Sequence, residues 1–110
     1  MIYSINAGEL RHIISIERYK EGIDDNGIAH ETWSLLLNSR AKIINLRMEE
    51  FLIAQGQGLS EVKTFFIRHP RVQISMKDRI LWNDTYYEII AIDDVQNRGM
   101  YLSLKGKVAE

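Results

Sequence analysis

Residues 7 to 33, AGELRHIISIERYKEGIDDNGIAHETW, constrain the fold more than any other stretch. Ile14-Ser15-Ile16-Glu17-Arg18 alternates with the two-residue period of a strand, so Ile14, Ile16 and Arg18 share one face and Ile13, Ser15, Glu17 and Tyr19 the other. Asp24-Asp25-Asn26-Gly27 follows, a turn sequence in which Asn-Gly tolerates positive φ at little cost. A second run, about Ile28 to Leu36, completes a hairpin that opens the chain.

The same grammar continues. Asn38-Ser39 interrupts the pattern, and Ala41 and Ile43 then alternate with Arg40, Lys42 and Ile44, a third strand or the continuation of a bent second one. Val62 to His69 reads as a strand with Lys63, Phe65 and Ile67 on one face, ended by Pro70, the only proline. Arg79 to Trp82 and Tyr86 to Ile92 flank Asn83-Asp84-Thr85 as a second hairpin, and Asp93 to Gly99 is another turn region. Met100, Leu102 and Leu104 alternate with Tyr101, Ser103 and Lys105 in a closing strand. The expectation is a mainly β fold: a small barrel or sandwich of about six strands, with one short helix or long loop inserted after the early strands. Residues 1–110 form one domain by size. Its expected core contains Trp33, Ile43, Phe65, Ile67, Tyr87, Ile89 and Leu102.

Composition narrows the function classes. With 14 basic and 15 acidic residues the formal charge is -1, which argues against a dedicated nucleic-acid binder. Cysteine is absent, so there is no disulfide framework and no thiolate metal site. No run approaches the ~20 apolar residues that span a bilayer. Met1 to Leu10 lacks the layout of a signal peptide, so a protein made and used in the cytoplasm is expected.

The search for chemistry returns turn residues and surface residues. His12 and His30 would approach each other only across the first hairpin, and His69 has no partner at ligand spacing. Glu49 and Glu50 are neighbours on the expected helix and point about 100° apart. Asp24-Asp25 and Asp93-Asp94 suit turns, where Asp bonds its own backbone. Gly56-Gln57-Gly58 lacks the lysine of a phosphate loop. No catalytic residue, metal ligand or cofactor is therefore expected. Lys63, Arg68, His69 and Arg71 interleave with Phe65 and Phe66, which leaves open an oligonucleotide-binding barrel that stacks single-stranded bases. A small-barrel enzyme whose site assembles only in space is a third reading.

Leu46 to Gln55 is the one credible helix, rich in good helix formers and followed by the stop signals Gly56 and Gly58. Met48, Phe51 and Leu52 form one apolar arc; Leu46 and Ile53 form another, separated from it by Glu49 on one side and by Arg47 and Glu50 on the other. One arc suffices to pack on a barrel, and the second suits another chain.

The ordered set of motifs resembles the phage head-tail adaptor family, whose members include head-closure, head-tail joining and stopper proteins. Gly8-Glu9-Leu10-Arg11-His12 with Ile14-Ser15-Ile16 and Arg18 is similar to its opening strand, Asp25-Asn26-Gly27 to its first turn and Thr32-Trp33 to its second strand. Arg40-Ala41-Lys42-Ile43, Glu50, Ala54 and Phe65-Phe66-Ile67-Arg68 fall where the family has comparable residues, as do Arg79-Ile80, Tyr87-Glu88-Ile89 and Leu102-Ser103-Leu104. His69 departs from the Tyr often found there, and Gly56-Gln57-Gly58 matches no family pattern. The resemblance implies a non-enzymatic virion or prophage protein, assembled in the host bacterial cytoplasm. It would form a homo-oligomeric ring between the portal-adaptor (connector) protein and a tail completion protein, with no membrane contact, and meet packaged DNA only by proximity in the channel. It also implies that a segment after the early strands, here about Leu46 to Ser60, faces the channel or a partner, with Leu46, Arg47, Met48, Glu50, Phe51, Ile53, Gln55, Gly56, Gln57 and Gly58 as the expected contact residues.

Overall fold

The computed structural model describes residues 7–45 and 62–109, apart from the side chain of Asn97. Six antiparallel strands run His12–Ile23 (β1), Ala29–Asn45 (β2), Val62–Arg68 (β3), Arg79–Trp82 (β4), Thr85–Asp94 (β5) and Tyr101–Val108 (β6), with single 3-10 turns at Ala7–Glu9 and Val95–Asn97. The sheet order β1-β2-β3-β6-β5-β4 closes on itself as a barrel. The expected mainly β architecture is therefore present. The stretch after Ser39 is the continuation of one long bent β2, not a separate strand. Residues 46–61 lie outside the described residues, and with them the helix expected from Leu46 to Gln55 and all ten expected contact residues.

Turn chemistry sets the register. The first hairpin closes with Gly27 at φ +78. The Asp24 carboxylate there accepts hydrogen bonds from the backbone N–H groups of Asn26 and Ile28, both at 2.9 Å. Asn83 and Asp84 both take positive φ and join Trp82 to Thr85 in the two-residue turn that matches strand twist. Asp94 accepts from the Gly99 N–H at 3.0 Å and so ties down the turn before β6. These are the structural roles that turn aspartates are expected to play.

Alternation fills the barrel. Ile14 and Ile16 of β1, Ala41 of β2, Phe65 and Ile67 of β3, Ile80 of β4, Tyr87 and Ile89 of β5, and Leu102 and Leu104 of β6 form one buried cluster. Phe65 and Tyr87 meet edge to face at 5.2 Å. Gly106 of β6 sits against this pair, and a Cβ there would lie 2.9 Å from Tyr87 Cβ and 3.1 Å from Phe65 Cε1. Five of the seven expected core residues are buried, and Ile43 packs partly buried against them. Trp33 is the exception, at 38% exposure. It lies in the stretch of β2 that pairs only with β1, outside the closed part of the barrel.

On β3 both faces are buried: Val62, Thr64 and Phe66 as well as Phe65 and Ile67. Lys63 is buried too; its ammonium donates to Asn45 Oδ1 and lies 5.8 Å from the centre of the Trp82 ring.

Candidate interface: the braced hairpin arm and the barrel rim

β1 and β2 are longer than the barrel needs. β1 meets β4 only through Ser15, Ile16 and Glu17. Beyond that point β1 and β2 pair only with each other, from Arg18–Ser34 to Ile23–Ala29. This two-stranded arm extends roughly 20 Å at the rise of a β-strand. A register shift between Ile16 and Glu17 marks its root, a bulge of the kind that bends and twists a strand. Because β2 runs from the arm to Asn45, the chain leaves the barrel towards residues 46–61 at the end opposite the arm.

Two polar braces hold the arm to the barrel. In the first, the Arg18 guanidinium grips the Asp78 carboxylate through two bonds of 3.0 Å and donates to the Gln73 carbonyl at 2.8 Å. Asp78 is buried and also accepts the Ser75 N–H at 2.8 Å. Its hydrogen bond and charge raise the Arg18 pKa still further above its already high ordinary value. In the second, the Arg79 guanidinium lies 4.0 Å from the centre of the Trp33 ring and 3.8 Å from that of Tyr86. Glu17 accepts from its Nε at 2.7 Å. Stacking on two aromatic rings suits a planar, weakly hydrated cation, and it gives the exposed Trp33 its partner. Tyr19 packs edge to face on Trp33 at 5.4 Å and donates to Glu21. Burial, followed by the Glu31 and Glu21 carboxylates, pushes its phenol up to about 12.

The residues considered for other chemistry are dispersed. His12 pairs with Ala41 near the barrel, whereas His30 pairs with Gly22 far out on the arm, so the two do not meet. His12 instead contacts the edge of Trp82 at 5.5 Å. No cluster of metal-ligating side chains occurs among the described residues. The aromatic platform for nucleic acid is not there either. Phe65 and Phe66 are buried and Lys63 is committed to Asn45, which leaves only Arg68, His69 and Arg71 of that basic group at the surface. Sequence reading missed the arm and Asp78. The usable signal for the arm was the polar stretch Lys20 to Glu31, with isolated isoleucines and no apolar alternation to bury.

Fold and arm together define a small closed β-barrel whose distinctive surface is a braced protrusion. The chain belongs to the phage head completion protein family, which it matches over residues 5–108. As a member of that family it is a head-tail joining structural protein of the phage particle. Two solved structures share the fold. Protein SF1141 from Shigella flexneri 2a is similar at 23% identity, over 96% of this chain and 97% of that one, with a TM-score of 0.72. A chain of the virion of a native gene transfer agent particle is similar at 16% identity, over 90% and 94%, with a TM-score of 0.64. No curated protein matches the sequence.

Proposed function

We propose that this protein assembles as a homo-oligomeric ring in the virion, between the portal-adaptor protein and a tail completion protein, and acts by structural contact without catalysis. The observation that carries this reading is the two-ended layout of a head completion family member. A braced arm stands at one end of the barrel, and the β2–β3 connection is attached at the other. Virion proteins presented at each end would find separate surfaces. In this reading Leu46 to Ser60, including Arg47, Glu50 and Gly56-Gln57-Gly58, faces the channel or the neighbouring protein and helps hold packaged DNA, which it meets only by proximity. Assembly takes place in the host bacterial cytoplasm.

Replacing residues 47–58 by a short Gly-Ser linker tests this. The expected result is a barrel that still unfolds cooperatively, together with particles that lose packaged DNA or fail to join tails. Normal infectious particles carrying the replacement would refute the role given to the segment. Strong, salt-dependent binding of single-stranded DNA by the free chain would instead favour the oligonucleotide-binding alternative.

A further inference from the structure

The braces leave the tip of the arm unused. Ile23 and Ile28, at 75% and 60% exposure, flank the turn. From Lys20 to Glu31 the tip carries four carboxylates against one lysine. A complementary surface lies at the root of the arm, where a cleft of about 360 Å³ opens between the middle of β2 and the chain that follows β3. Leu36 and Leu37 form its floor, Pro70 and Val72 its wall, and Arg68 and Arg71 its rim; no carboxylate lines it. Both arginines are exposed, and neither forms an ion pair among the described residues.

The tip cannot reach the cleft of its own chain, because the β1–β2 ladder is continuous out to Ile23–Ala29 and holds the tip away from the root. We propose that the hairpin tip of one copy docks into the Arg68–Val72 cleft of the next copy, Ile23 and Ile28 entering the apolar floor and the tip carboxylates facing Arg68 and Arg71. This gives the contact surface of the ring proposed above and rests on that reading.

The contact is heterologous: each copy offers one tip and one cleft, so copies join head to tail until the circle closes. A tip this narrow buries well under the ~800 Å² per partner of a standard interface. The free chain is therefore monomeric when dilute, and copies link where a partner already holds them side by side and raises their effective concentration.

The chain has no cysteine, which makes the test direct. The double variant Ile23→Cys/Val72→Cys is oxidised as the concentrated full chain and, separately, in assembled particles. A ladder of disulfide-linked oligomers is expected, whereas either single variant stops at dimers. Adding Arg68→Glu and Arg71→Glu lowers ladder yield roughly tenfold, and Asp25→Lys restores part of it. Thermal unfolding of the charge variants controls for folding. A product no longer than that of the single variants in both settings would overturn the proposal. So would indifference to charge reversal, or cross-links from position 23 to a different virion protein. Mass spectrometry of the particles separates the two readings. Protein present without a ladder rejects the docking and leaves the head-completion role standing; protein absent from particles rejects that role.

Discussion

Gly106→Ala is a one-carbon test of how tightly the barrel is closed. The added Cβ would sit 2.9 Å from Tyr87 Cβ, 3.1 Å from Phe65 Cε1 and 3.6 Å from Ile80 Cδ1. The Phe65 ring and the Ile80 methyl have some freedom to turn. The Tyr87 Cβ does not, because it is fixed to the backbone of β5, and β5 is paired to β6 at this level through Ile89–Gly106. The added carbon is accommodated only by easing the two strands apart. Overpacking of this kind costs about 1–3 kcal/mol. Replacing glycine returns ~0.5–1 kcal/mol by restricting the unfolded chain. The net expectation is a loss of about 1–2 kcal/mol, which lowers the melting temperature by about 4–8 °C for a domain of this size. Circular dichroism melts and urea titration of the purified variant measure it. Phe65→Leu in the same background should recover only a fraction, because the Tyr87 contact persists. An unchanged or raised melting temperature for Gly106→Ala would refute the close approach of β5 and β6.

Phe65→Ala empties a fully buried ring site and should cost about 3–5 kcal/mol. Trp33→Ala removes an exposed stacking partner and should cost about 1 kcal/mol; equal losses in urea denaturation would contradict the placement of Trp33 outside the core. The Tyr19 phenol, pushed up to about 12, should give a component well above the ordinary value of 10.0 in an absorbance titration, and Tyr19→Phe should reduce the late part of the curve by one phenol. Because its folded pKa lies above the ordinary value of 10.0, Tyr19 favours the folded state below that pH, and the contribution disappears as pH rises to about 12.

The barrel was legible in the sequence because period-two alternation and Asx-Gly turns are local signals. Phe65, Ile67, Tyr87, Ile89 and Leu102 could be assigned to one core without knowing which strand touched which, whereas the fully buried Ile14 and Ile16 were left out of it because one short alternating strand does not show that both of its neighbours close over it. Trp33 was misplaced for a physical reason: alternation continues through β2 past the point where β4 ceases to face β1, and periodicity does not say where the second layer ends. Phe66 errs in the other direction, since its parity assigns it outward yet it is buried. Asp78 was invisible because its partner Arg18 stands 60 residues away in sequence. The arm and cleft could not be read as a site, since neither carries a motif and each is defined by what surrounds it in space.

The narrow join between β1 and β4 also bears on how the chain folds. β1–β2 and β4–β5 are neighbours in sequence and form as local hairpins, whereas Glu17 and Arg79 stand 62 residues apart and are brought together by only three residue pairs. Loop-closure entropy places such a join late. Until it forms, β1 and β4 are two bare edges, each able to template pairing with a foreign strand. Arg18 and Glu17 lie on one edge, Asp78 and Arg79 on or beside the other. The charges that later rivet the seam therefore stand on the unfinished edges as gatekeepers, disfavouring edge-to-edge aggregation of the nascent chain.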